Sequence, residues 1–195
     1  VTQTATLNRN KIYDDQNNFI GYGTISADGS SYTIDDSWTV DAQTWTQQDS
    51  ADLSGYGYTA PDRPSVAAVT VDGNTTTVTE MVRYGHQTQT ITPNDPNPVT
   101  PGKPINPKGD VNYPDGVSKD DLTSTVKRTI KYVDEDGKAV DGSPDGTSRY
   151  EQTAEFTRTA IVDKVTGKIL GYDTDGDGEV DTTKADQAWT PTKKS

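Results

Sequence analysis

Apolar residues in this chain recur mostly at every second position. They form short runs broken by Gly, Asn, Asp and Pro. A period of two places alternate side chains on opposite faces of a strand. Residues 65–71 and 75–84 flank Asp72-Gly73-Asn74 and predict a hairpin whose turn needs positive φ. Val78, Val82 and Tyr84 share one face of its second strand, with Glu80 the exception. Residues 126–133 predict another strand, closed by a turn at 134–137. Farther on, Ala154, Phe156, Ala160 and Val162 share a face on which Arg158 is out of place, and 163–167 reads as the following turn. One stretch has a different period. Trp38, Ala42 and Trp45 fall at i, i+4 and i+7, which predicts a helix over about 41–53.

The pattern also repeats at long range. Gln3-Thr4-Ala5 faces Gln152-Thr153-Ala154, Leu7 faces Phe156, Arg9 faces Arg158, Ile12 faces Ile161 and Asp14 faces Asp163. After single-residue gaps, Gly21-Tyr22 faces Gly171-Tyr172 and Trp38 faces Trp189. This is an internal duplication with a period longer than the usual solenoid unit. The copies are cut differently. Residues 125–140 have no counterpart before Val1, and the stretch after Trp45 has none after Ser195. The expectation is a chain that ends inside a repeat.

Between the copies lies a proline tract. Residues 93–114 hold seven of the 11 prolines. Proline donates no backbone hydrogen bond and favours extended polyproline II, so a semi-rigid spacer is expected. The predicted organisation is a first domain over 1–92, a Pro-rich linker over 93–122 and a second domain, cut short, over 123–195.

Composition sharpens this picture. Leu, Ile, Val and Phe together make 31 of 195 residues, about 16%, below the ~20% at which disorder becomes a competing reading. Against disorder stand 31 Thr, 10 Tyr and 3 Trp, residues that suit a half-buried pleated surface. Thin-cored β domains are expected. There is no cysteine, which removes disulfides, thiolate metal sites and cysteine nucleophiles. A formal charge of −12 argues against nucleic acid as a partner, because little here would displace counterions from phosphates. No run approaches the ~20 apolar residues of a spanning helix, so membrane insertion is not expected.

The sharpest chemical signal is DTDGDGEVD at 173–181. Asp173, Asp175 and Asp177 occupy positions 1, 3 and 5 of a calcium loop. Gly178 stands at position 6, Glu179 at 7 offers a backbone carbonyl, and Asp181 stands at 9. Position 12 is Lys184 where an EF-hand needs a bidentate Glu, and no amphipathic helices flank the loop. The expectation is a short extracellular-type calcium loop, with Asp186 as a distal ligand. The alternative is a solvated Asp-Gly turn. The first copy favours it, since its equivalent stretch holds only Asp28-Gly29.

Residues 126–140, 156–159 and 163–167, with Ala188-Trp189-Thr190-Pro191, resemble the mucus-binding (Mub-type) repeats of cell-surface adhesins from gut lactobacilli. Residues 55–61, the apolar run near 69 and the linker resemble the first domain of such a repeat more loosely. The resemblance implies a mainly β (α+β) fold: two tandem β-grasp-like domains, elongated and joined by the Pro-rich linker. It further implies a cell-wall-anchored extracellular adhesin that binds mucin glycans or host glycoproteins, in some relatives immunoglobulins, alongside neighbouring repeats of its own chain. The second domain is shorter here than in that family.

No catalytic constellation emerges. His86 is the single histidine and reads as a surface residue, since spacing gathers no Ser and Asp around it. The expectation is therefore not an enzyme. Trp38 and Trp189, being aligned, are expected to pack, while Trp45 is a candidate ligand-binding residue through stacking on a sugar ring. Two functions fit: an adhesive module, or a calcium-stiffened stalk that projects other domains from the cell wall.

Overall fold

The structure is a computed structural model and describes residues 2–38, 42–75, 77–95 and 98–194. In chain order the first strands are β1 (Asn10–Tyr13), β2 (Phe19–Ile25), β3 (Tyr32–Ile34), β4 (Ala42–Trp45), β5 (Gln48–Asp49), β6 (Tyr58–Pro61), β7 (Ser65–Val66) and β8 (Val69–Asp72). They are followed by β9 (Tyr84–His86), β10 (Thr88–Ile91), β11 (Thr123–Lys131), β12 (Arg149–Thr157), β13 (Thr159–Asp163), β14 (Ile169–Asp173) and β15 (Thr190–Lys194). Helix among the described residues is limited to two 3₁₀ turns, Ser54–Tyr56 and Ala185–Gln187. The mainly β class is as expected. No α-helix is present among the described residues for a sheet to wrap.

The chain divides into two compact units, Val1–Ala51 with Pro61–Arg83, and Asp52–Ala60 with Tyr84–Ser195. In the first, β1, β2 and β3 form an antiparallel sheet, and two-stranded ladders join β4 to β8 and β5 to β7. The helix expected near 41–53 is instead β4 and β5. Asp41, at its start, lies outside the described residues. Trp45 sits opposite Val69 in the β4–β8 ladder, and this long-range pairing overrides a weak helical period in Thr- and Gln-rich sequence. The hairpin expected over 65–84 also differs. Its turn forms, with Thr75 N–H donating to the Asp72 carbonyl at 3.0 Å. Yet β8 pairs with β4, and no strand lies in 77–83. Thr76 lies outside the described residues. Alternation marks a strand but leaves its partner open. Gly73 is needed for space rather than for positive φ: a Cβ there would come within 1.9 Å of Trp38 Cε2.

The second unit carries the main core. The sheets are β10–β13–β14 and β11–β12–β15, and β6 pairs with β9. Ile91, Val117, Leu122, Ala160, Val162, Tyr172 and Ala188 form one buried cluster. The chain passes from the β11–β12–β15 sheet into the β10–β13–β14 sheet through Arg158. Ala154 and Phe156 therefore lie on a different sheet from Ala160 and Val162, although the sequence period put all four on one face. The turns at 134–137 and 163–167 form as expected, with Gly137 at φ 78° and Gly167 at φ 68°.

The expected Pro-rich linker is not a free spacer. Val117 and Leu122 are 1% and 0% exposed, and Val99, Ile105 and Tyr113 pack against the same core. The Ile105 N–H donates to the Val111 carbonyl and the Tyr113 N–H to the Lys103 carbonyl, both at 2.9 Å. Tyr113 Oη donates to Gln89 Oε1 at 2.9 Å, and Asn106 Nδ2 donates to the Lys164 carbonyl at 2.6 Å. Prolines interrupt ladders, but they leave the apolar residues between them able to anchor. The tract straps the β10–β13–β14 sheet.

The duplication holds in three dimensions. β1 meets β2 with Lys11 opposite Tyr22, Ile12 opposite Gly21, and Tyr13 opposite Phe19 after a bulge. β13 meets β14 with Ala160 opposite Tyr172, Ile161 opposite Gly171, and Val162 opposite Ile169 after a bulge at the same place. Each central glycine makes room for a neighbouring side chain, Ile34 beside Gly21 and Val180 beside Gly171.

Candidate functional site

The acidic loop leaves β14 at Asp173. The structure brings together three of the five expected ligands: one carboxylate oxygen from each of Asp173, Asp175 and Asp177 lies within 4.8 Å of the others. Asp173 is buried and the other two are exposed. The loop is built from carboxylates that accept backbone N–H groups. Asp173 Oδ1 accepts from Gly176 at 2.6 Å and Asp173 Oδ2 from Gly178 at 2.9 Å. Asp177 Oδ1 accepts from Glu179 at 2.7 Å. Gly176 and Gly178 sit at φ 90° and 87°, left-handed conformations that side-chain-bearing residues resist. Asp181 stands outside the carboxylate cluster, and Glu179, expected to ligate through its backbone carbonyl, adds no carboxylate to it. Asp181 Oδ2 accepts instead from Thr174 N–H and Oγ1 at 2.6 and 2.7 Å, which holds its carboxyl below the ordinary range.

The equivalent loop in the first copy closes by other means. Asp28 Oδ1 accepts from Ser26 Oγ and Ser30 Oγ, each at 2.7 Å, and from the Ser30 N–H at 3.1 Å. These serine donors lower its pKa to about 2.

A second candidate lies in the first unit. Gln3, Thr4, Ala5, Leu7, Trp38, Trp45, Val71, Asp72, Gly73 and Thr75 line a cavity of about 340 Å³. Both indoles of the first copy meet here because β4 brings Trp45 beside β8, and Trp38 lies over Gly73. Trp45 Nε1 is buried and has no hydrogen-bond partner among the described residues. Asp72 Oδ1 accepts from the Asn74 N–H and Thr75 Oγ1, which holds its carboxyl below the usual range. The lining mixes aromatic faces with hydroxyl, amide and carboxylate groups. Trp45 was legible as a candidate from its lack of an aligned partner. Asp72, Thr75 and the 3–7 stretch were not, since only the β4–β8 pairing brings them together.

Trp38 and Trp189 pack as expected, on a partner that alignment alone did not assign. Arg9 Cζ lies 3.6 Å from the Tyr22 ring centre and 4.9 Å from that of Trp38. Arg158 Cζ lies 5.2 Å from the Tyr172 ring centre and 4.5 Å from that of Trp189. Arg158 Nε also donates to the Asp121 carbonyl, and a terminal guanidinium nitrogen donates to that of Ala185. The residue out of place in the sequence pattern is thus the corner of the second unit.

His86 has a carboxylate partner after all. Its Nδ1 lies 2.8 Å from Asp163 Oδ2. Burial pushes the Asp163 carboxyl up, but His86 and the Val165 and Thr166 N–H groups outweigh it and hold it below the ordinary range. The contact clamps β9 to the end of β13, and Tyr58 meets the imidazole edge-on at 5.6 Å. It reads as a structural tie.

Both units are built from strand ladders; the tryptophan-lined cavity belongs to the first, and the strapped core and acidic loop to the second. The family model described as Muc B2-like domain matches residues 117–195. Over that part of the chain, the resemblance to mucus-binding repeats is borne out. No curated protein and no solved structure matches the chain. Among the described residues, no helix is long and apolar enough to cross a membrane.

Proposed function

We propose that this chain is an adhesive module of an extracellular surface protein, one that holds mucin glycans or other host glycoproteins. The observation that carries the reading is the Muc B2-like match over residues 117–195. The tryptophan-lined cavity of the first unit supplies the contact chemistry. Indole faces stack on sugar rings, the Trp45 N–H seeks an acceptor, and Asp72 and Thr75 offer hydrogen bonds to hydroxyls. The chain carries −12, and mucins bear sialic acid and sulfate, so bulk attraction does not drive the contact. A neutral sugar residue suits this cavity better than an acidic one. Weak single sites then gain from repetition. Retention on immobilised mucin, and on immobilised immunoglobulin as a second host glycoprotein, tests the reading. Saturable retention lost in Trp45→Ala is the expected result. No retention of the folded chain at millimolar sites overturns adhesion and leaves a stalk role, in which the module spaces other domains from the cell wall.

We further propose that the acidic loop takes one calcium ion. The convergence of Asp173, Asp175 and Asp177 supports it. Alternating aspartates around glycines suit a hard cation wanting six to eight oxygens, with water completing the shell.

A further inference from the structure

We propose that the β1–β2 face bearing Tyr13, Phe19 and Tyr22 is the seat of a strap segment supplied by a neighbouring repeat, a segment of the same kind as residues 99–122. The inference rests on the chain being one stretch of a tandem array, and it names which surfaces meet. In the second copy the register-matched face carries Ala160, Val162, Tyr172 and Ile169. There Ala160 and Val162 are fully buried, in one cluster with Val117 and Leu122 of the strap. The strap reaches Ile169 as well: a Cβ on Gly116 would lie 3.6 Å from Ile169 Cδ1. It is pinned at its end by Arg158, whose N–H donates to the Leu122 carbonyl at 3.0 Å and whose Nε donates to that of Asp121 at 3.1 Å.

The first copy presents the same face uncovered. Tyr13 replaces Val162 and is 46% exposed. Phe19 replaces Ile169 and is 50% exposed. Tyr13, Phe19 and Tyr22 meet edge to face at 5.9 and 5.1 Å, giving a preformed aromatic surface. A contiguous exposed apolar face of this kind marks an interaction site. Charge selects the occupant. Lys11 stands where the second copy has Ala160, and Arg9 stands where it has Arg158. Residues 110–121 of the strap carry Asp110, Asp115, Asp120 and Asp121 against Lys119 alone. A segment with two apolar anchors in acidic surroundings therefore fits both the rings and the cations.

The test restores the spacing. Tyr150 is the counterpart of Val1, so residues 84–149 are duplicated directly ahead of Val1 in the full chain. Amide hydrogen exchange is then followed in β1 and β2, against a control with Leu122→Asp in the added copy only. Exchange at least tenfold slower than in the original chain, lost in the control, is the expected result. Equal exchange in the two extended chains, or faster exchange in the first unit, overturns the proposal. Two further outcomes on the original chain also overturn it. Loss of mucin retention in Phe19→Ser assigns the face to glycan, and a concentration-dependent dimer abolished by Phe19→Ser assigns it to a second copy. Failure of mucin binding alone leaves the exchange result untouched, so the two readings fail separately.

Discussion

The guanidinium of Arg158 lies over the ring of Trp189, 4.5 Å from its centre, as that of Arg9 lies over Trp38 at 4.9 Å. A planar cation stacked on an indole while donating to two carbonyls is not replaceable by an ammonium. Arg158→Lys is expected to destabilise the second unit by about 2 kcal/mol, combining a cation–π contact with charge-assisted hydrogen bonds. Arg9→Lys is expected to cost the first unit less, about 1 kcal/mol. Urea unfolding followed by exchange in each unit checks the ranking, and equal losses would contradict it.

The strap is part of the core. Leu122→Ala removes a fully buried side chain, so a loss of about 3 kcal/mol in the second unit is expected. A spacer residue would show almost none. Calorimetric melting separates the two cases.

Gly171 has no room for a methyl group. A Cβ would stand 2.7 Å from the Thr182 carbonyl oxygen, which is backbone and cannot step aside cheaply. Gly171→Ala is expected to cost at least 2 kcal/mol through displaced pairing beside Tyr172. Gly21 sits at φ 151°, where L side chains are strained whatever the space, and a Cβ would stand 2.8 Å from an Ile34 side-chain methyl, so the same change there also costs stability, through the backbone rather than through a blocked carbonyl. Amide exchange in β14 and β2 reads both losses.

Acid sensitivity follows from Asp163. Its folded pKa lies below the ordinary 3.8, so the unfolded chain binds this proton more readily. The stabilisation is therefore complete above the ordinary carboxylate value and is lost as pH falls through the folded one. Asp163→Asn is expected to flatten the urea midpoint of the second unit between about pH 2 and pH 5, and to lower the plateau above it. An unchanged profile would refute this.

For calcium, a dissociation constant of roughly 10⁻³ M and 10 mM ion give about 1.4 kcal/mol of stabilisation. That rise is expected in the second unit, absent with chelator and absent in Asp175→Asn/Asp177→Asn. Calorimetric titration without heat and without a rise in melting temperature counts against the ion.

The sequence by itself determined the β character, the duplication and the turns at 134–137 and 163–167. These depend on local quantities: alternation, glycine at positive φ, and residue identity at a fixed offset. The acidic loop was legible for the same reason, as spacing within nine residues. Only tertiary structure decided the partners. Trp45 joined a ladder rather than a helix because Val69, far along the chain, offered it a strand. Arg158 proved to be a corner because its acceptors belong to Asp121 and Ala185. The Pro-rich linker became a strap because Val99, Ile105, Val117 and Leu122 could bury in the core that holds Val162 and Tyr172, whereas composition reports only that prolines break ladders. Local pattern specifies what a segment is able to form. Which apolar surface it covers depends on contacts distant in the chain, and the burial gained there decided between spacer and core.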